Sequence, residues 1–263
     1  MLGCLTLTSV QANESEGLFF LNTINPLSVF TVLNPQDETS KAIKKTVFKQ
    51  PRIKLESFNQ IDVAPSLIFR QHSLKAIAQE MPDGYSTFAS IALMRGYEPQ
   101  NPSDHLKLKD NKPITQTDAT GYASGMQRSD GNRWWSFAIG FNQLRKRDYQ
   151  TLALTEKRKS LTAQYVLFDR SYAPYIASGF IGIDGGNGSI VARLTPYINL
   201  QDGLLVGPDF QFYHDSSSSK FKIGTAIAGM TYKSYEAILS TGYEQDLAGQ
   251  QGAYFSLGVV HRF

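Results

Sequence analysis

The chain has 263 residues but only one cysteine, Cys4, and four histidines. A single thiol excludes disulfides within the chain and thiolate metal clusters. His72, His105, His214 and His261 stand at no metal-ligand spacing and no HExxH occurs, so neither a metal nor a cofactor is expected. Charge is also sparse, at 19% of residues with a net +3. The two basic clusters, Lys41 to Lys49 and Arg145-Lys146-Arg147, lack the interleaved aromatics that nucleic-acid binding needs, which argues against that partner class. No Gly-rich phosphate loop precedes a helix pattern; Gly185-Gly186-Asn187-Gly188 reads as a hairpin loop. No apolar run reaches about 18 residues, and the mean hydropathy of -0.26 is too low for a helical membrane bundle. If the chain spans a membrane it must do so with strands closed into a barrel.

What the sequence does contain is alternation. The last eleven residues place Ala253, Phe255, Leu257, Val259, His261 and Phe263 on one face and Tyr254, Ser256, Gly258, Val260 and Arg262 on the other. One face suits lipid and the other a wet or side-chain-filled lumen, whereas an ordinary half-buried strand of a soluble β-sandwich is the competing reading. The aromatic ending resembles the C-terminal signal read by barrel-assembly machinery, which makes Phe263 the candidate assembly signal. Further upstream, Trp135, Phe137, Ile139 and Phe141 alternate with Ser136, Ala138, Gly140 and Asn142. Ile190 to Asn199, Val206 to Phe212 and Tyr235 to Glu244 repeat the arrangement. Pro196 and Pro208 each remove a ladder donor, which predicts local bulges or unpaired positions there.

The connections sort by length. Turns at Lys233-Ser234, Asn199 to Gly203, Asp169 to Tyr172 and Ser129 to Asn132 are short; they would share the periplasmic side with Phe263. Glu244 to Gly252, His214 to Lys220, Asp184 to Gly188, Arg145 to Lys157 and Glu98 to about Thr117 would form the opposite, longer set. Such sorting is expected of outer-membrane barrels, and a soluble lipocalin-type barrel has no reason for it. The expected fold is therefore all-β, an antiparallel up-and-down transmembrane β-barrel of about 10–12 strands over residues 85–263, located in the outer membrane and in contact with its lipid. Residues 1–12 look like the remnant of a signal peptide, with Val10 and Ala12 at the cleavage positions. Residues 13–84 form a partly helical or irregular N-terminal segment serving as plug, periplasmic element or extra strands. Within it, Leu18 to Leu21 and Val29 to Leu33 are candidate strands, Lys41 to Gln60 a linker, and Pro65 to Met81 a short amphipathic helix.

Candidate chemistry is thin. His214 and Ser216 lie two residues apart on one strand face, an arrangement that resembles the His-x-Ser of outer-membrane lipid A deacylases. That family adds Asn after the Ser and a Glu about a dozen residues on. Here Ser217 follows, and Thr225 to Met230 holds no acid. His214 and Ser216 remain the only catalytic candidates, and an exposed loop end is the favoured reading. Arg193, Asp209 and Glu236 fall on the lumen face and are expected to form a buried polar network. Trp134 and Trp135, beside a short turn, fit an interfacial aromatic girdle, with carbohydrate stacking as the competing role for Trp134. Tyr197, Arg193, Gln211 and Tyr254 are expected to fill the lumen.

The last third also resembles the BcsS type of outer-membrane protein associated with bacterial cellulose biosynthesis. The resemblance rests on Leu205-Val206-Gly207-Pro208-Asp209, Gly224-Thr225-Ala226-Ile227-Ala228-Gly229, Gly242-Tyr243-Glu244-Gln245-Asp246 and Gly252 to Gly258. It implies a noncatalytic envelope component that assists secretion or anchoring of an exopolysaccharide, with that polymer or its secretion apparatus as partner. A lipid-modifying hydrolase and a small-solute channel are the alternatives. The long N-terminal segment departs from the family's compact start.

Overall fold

The computed structural model describes residues 53–263, apart from 79–80, 82, 100–112, 187, 201–202, 216–218 and 248. Twelve antiparallel strands run in sequence order and close on themselves. They are β1 (Lys54–Val63), β2 (Ile68–Ile77), β3 (Tyr85–Pro99), β4 (Pro113–Ser129), β5 (Arg133–Asp148), β6 (Leu154–Tyr172), β7 (Tyr175–Asp184), β8 (Ser189–Asn199), β9 (Leu205–His214), β10 (Ser219–Tyr232), β11 (Tyr235–Asp246) and β12 (Gln251–Arg262). The closing seam pairs β12 with β1 from Glu56↔Arg262 to Val63↔Phe255. Beyond it the Phe263 amide donates to the Leu55 carbonyl at 3.1 Å, so the last residue is tied into the barrel.

Polarity is inverted relative to a soluble protein. Outward positions are apolar and exposed, among them Leu93 (55%), Ile139 (63%), Leu161 (74%) and Leu194 (54%). Inward positions include charged groups with almost no exposure, such as Asp184, Asp209, Glu236 and Glu244. A soluble sandwich would place these sets the other way round; a barrel surrounded by lipid requires this one. Where Phe263 lies, here called the terminal end, Tyr172, Tyr175, Tyr232 and Tyr235 ring the outside, and Tyr85 meets Trp135 edge-on at 6.0 Å. An interfacial aromatic girdle requires rings in this position.

Several expectations are corrected. Residues 54–60, expected within a linker, belong to β1, and 68–77, expected within a short helix, are β2. In β2 the inward positions Phe69, Gln71, Ser73 and Lys75 mix polarity, which hid the period of two from a search for apolar alternation. The barrel accordingly begins at Lys54 rather than Tyr85. Leu18 to Leu21, Val29 to Leu33 and residues 1–12 lie outside the described residues. The stretch Arg145 to Lys157 is mostly strand, leaving 149–153 as the turn. With 16 and 19 residues, β5 and β6 exceed the roughly 9–11 residues that cross a bilayer. The β6–β7 ladder starts only at Thr162↔Asp184, so residues 154–161 project past their neighbour at the loop end. Above the bilayer an outward residue need not be apolar, and the alternation fades although the strand continues. Sorting of the connections by side follows the expected order, but sorting by length is weaker: 64–67 at the loop end is a tight turn, closed by Ala64 and Leu67 amides donating to each other's carbonyls.

Pro196 and Pro208 disturb the ladder together. The β8–β9 register holds at Leu194↔Phe210 and resumes at Ile198↔Val206, which sets the two prolines opposite each other inside the gap. A Cβ on Gly207 would come within 2.0 Å of the Pro196 carbonyl oxygen, so only glycine permits that approach.

Candidate functional site

The interior is the natural place to look for function, because period two delivers half of every strand to it. The β1–β7 wall contributes most of the bulky apolar side chains. Trp134, Phe168, Phe88 and Phe58 are all nearly fully buried, and Trp134 faces Phe168 directly across β5–β6. Lys75 enters this layer from β2, donates to Gln127 Oε1 at 2.8 Å and lies 4.2 Å from the Phe88 ring centroid. Such a cation is tolerable inside because it has both a hydrogen-bond acceptor and a π face.

The β8–β12 wall carries the largest charged cluster. Arg193 of β8 and Gln211 of β9 are paired in register, which brings both beside Asp209. Arg193 donates to Asp209 through Nε at 2.7 Å and Nη2 at 2.9 Å; Gln211 at 2.8 Å, Thr195 at 3.1 Å and Tyr254 at 3.2 Å complete the carboxylate's partners. Five donors to one buried carboxylate make a rigid knot across the lumen. Toward the loop end, Lys222 Nζ lies 3.1 Å from Glu244, which also accepts from the Ser66 amide in the β1–β2 turn at 3.2 Å. At the terminal end Arg262 donates to Glu236 Oε2 at 2.9 Å and lies 3.5 Å from Glu56. Near the loop end Lys146 pairs with Glu98 at 2.8 Å.

The expected network of Arg193, Asp209 and Glu236 is therefore two clusters. Arg193 and Asp209 meet, while Glu236 belongs with Arg262 and Glu56. Alternation alone did not bring in Arg262 and Glu56 of the second cluster, nor the separate pairs Lys222–Glu244, Lys146–Glu98 and Lys75–Gln127. Lys222 could have been found, since it alternates with Phe221 and Ile223. Lys75 and Glu56 were hidden by the helix and linker assignments.

Tyr197 (2%) and Tyr254 (1%) fill the lumen with Arg193 and Gln211. A cavity of about 40 Å³ remains beside Gln60, Asp62, Arg193 and Lys222, enough for a few waters. The side chains of Arg193, Asp209, Tyr197 and Tyr254 occupy the lumen around it.

The other candidates separate by face. Trp135 points outward beside Tyr85, but Trp134, 1% exposed, points into the lumen. Adjacent strand residues cannot share a face, so Trp134 is corrected from an interfacial to an interior residue. His214 points outward at the end of β9, stacked on Phe212, with Nδ1 2.7 Å from Ser219 Oγ. Ser216 lies outside the described residues. Phe263 is outward and 73% exposed, beside His261. Among the described residues no cluster of His, Cys, Asp or Glu could hold a metal.

The family model for the cellulose biosynthesis protein BcsS matches residues 168–263. No curated protein matches the chain in sequence. Among solved structures, the KdgM porin is 6% identical at a TM-score of 0.47, covering 80% of this chain and 99% of the porin. The beta domain of the Bordetella autotransporter Brka is 11% identical at 0.44, covering 81% and 98%. The translocator domain of the autotransporter NalP from Neisseria meningitidis is 10% identical at 0.43, covering 82% and 90%. The chain is a twelve-stranded β-barrel of the outer-membrane type whose last third is similar to the cellulose biosynthesis protein BcsS family.

Proposed function

We propose that the protein is a noncatalytic barrel of the outer membrane with an accessory role in secretion of an exopolysaccharide, cellulose by the family's description. The match over residues 168–263 carries the reading. The side chains that enter the lumen, Asp209 with its donors and the Trp134 layer, support the accessory part of it, favouring a contribution as a surface or an anchor over conduction of the polymer. The test is deletion of the gene in a cellulose-producing host, with intracellular synthesis and extracellular cellulose measured separately. Loss of extracellular polymer with synthesis intact, restored by the full chain, is the expected result. Unchanged export removes the reading. A lipid-modifying hydrolase would instead change the acyl composition of the membrane when His214 and Ser216 are replaced by Ala.

A further inference from the structure

The outside of the barrel carries a feature that an accessory role does not require. Arg70, Arg95, Asp118, Arg145 and Lys157 occupy one continuous lateral row, each facing the next across β2 to β6. All five alternate with inward residues, so the row lies on the outer surface of the barrel, loopward of the apolar band. Asp118 is shared by Arg95 at 2.7 Å and Arg147 at 3.1 Å. Arg70, Arg145 and Lys157, and Lys159 two residues further along β6, form no ion pair among the described residues, although Arg145 stands opposite Asp118, whose carboxylate is taken by Arg95 and Arg147. Arg70 directly opposite Arg95, and Arg145 directly opposite Lys157, are like-charge pairs that a strand ladder does not favour unaided.

Below this row the same strands form an apolar hollow. Its volume is about 790 Å³, with Tyr122, Ile139, Phe141, Leu161 and Ile183 as its large side chains. Ala89, Ser124 and Ala163 are the small outward residues that create the depression. Its upper edge, Tyr122↔Phe141↔Leu161, runs parallel to the cationic row four residues away along each strand, about 13 Å. The row spans five strands, about 19 Å, which exceeds one phosphate and suits two.

We infer that this face is a docking site for a bisphosphorylated, multiply acylated glycolipid of the outer leaflet, with acyl chains in the hollow and phosphates on Arg70, Arg145, Lys157 and Lys159. Charge complementarity selects the headgroup, since unpaired guanidinium and ammonium groups at a membrane interface are phosphate donors. The loop-end position of the row selects the leaflet, because the projecting β3–β6 wall lies on the side away from Phe263. The proposal does not depend on the export role.

Native mass spectrometry of the full chain in detergent, titrated with hexa-acylated bisphosphoryl lipid A, tests it. The protein is expected to retain the lipid, with retention at least tenfold weaker for the variant combining Arg70→Gln, Arg145→Gln, Lys157→Gln and Lys159→Gln. Dephosphorylated lipid A should bind as weakly to the unaltered protein as lipid A does to that variant. A second variant, Ser124→Trp, fills the hollow without touching the row and should also lose the lipid. Heat-modifiable gel migration verifies that both variants fold. Failure of the unaltered protein to retain lipid A, equal retention by the quadruple variant, or equal binding of phosphatidylglycerol overturns the proposal.

Discussion

Asp209 accepts two hydrogen bonds from Arg193, at 2.7 Å and 2.9 Å, through a carboxylate with no solvent exposure. Breaking such a pair leaves a buried charge without its counter-charge. Asp209→Ala should therefore destabilise the barrel by about 3–5 kcal/mol, read from urea unfolding in lipid vesicles. Replacing both partners, as Arg193→Met with Asp209→Leu, removes the desolvation cost as well as the attraction. The double variant should recover most of the loss. If the double variant is no better than Asp209→Ala, the knot stabilises through Gln211, Thr195 and Tyr254 rather than through the ion pair.

Trp134 and Trp135 are neighbours in sequence on opposite faces of β5. In vesicles containing brominated lipid, quenching requires contact with the acyl region, so Trp135 should be quenched and Trp134 protected. Trp135→Phe should abolish most of the quenching, and Trp134→Phe should leave it nearly intact. The reverse outcome would place the wrong face of β5 toward lipid and shift the register of the whole strand.

The barrel was legible where both faces obeyed a binary code. β5, β8, β9, β11 and β12 each present an outward apolar set, and their turns and order follow from it. The code failed in two physically distinct places. In β1 and β2 the outward face itself is mixed, with Asn59 Oδ1 accepting a hydrogen bond from His72 Nδ1 across the pair, so no apolar stripe announces the strands. In the loop-end parts of β4 to β6 both faces are polar because the strands have left the hydrocarbon. The lumen clusters were only partly legible for another reason. Period two tells that Asp209 and Glu236 both face inward, but which strands stand side by side at a given height depends on register around the closed barrel, and that places Glu236 beside Arg262.

Gly207 tests the proline-framed gap in the β8–β9 ladder. A Cβ there would meet the Pro196 carbonyl oxygen at 2.0 Å and the Tyr197 Cα at 3.0 Å, both backbone atoms that cannot rotate away. Gly207→Ala should therefore cost about 1–3 kcal/mol through strain. Gly131, with nothing within 4 Å of its Cβ position but a φ of +88°, is the control for backbone strain without crowding. Gly131→Ala should be milder than Gly207→Ala in the same unfolding assay. Equal effects would mean that the close approach of β8 and β9 is relaxed in the bilayer.

Two sets of inward side chains stand in series along the lumen, and barriers in series make a prediction that a single plug would not. The Phe88, Trp134 and Phe168 layer lies toward the terminal end, and the Arg193, Asp209 and Tyr254 layer lies beyond it toward the loops. Conductance through two barriers is limited by whichever remains. In planar bilayers the unaltered protein should show no stepwise current. Phe88→Ala with Trp134→Ala should stay silent because the polar layer still blocks the path. Arg193→Ala with Asp209→Ala and Tyr254→Ala should stay silent because the aromatic layer does. Only the combination of both sets should produce discrete steps, provided that each variant keeps its heat-modifiable migration. Steps from either single-layer variant would show that the other layer is permeable to ions, and steps from the unaltered protein would favour a small-solute channel over an accessory barrel.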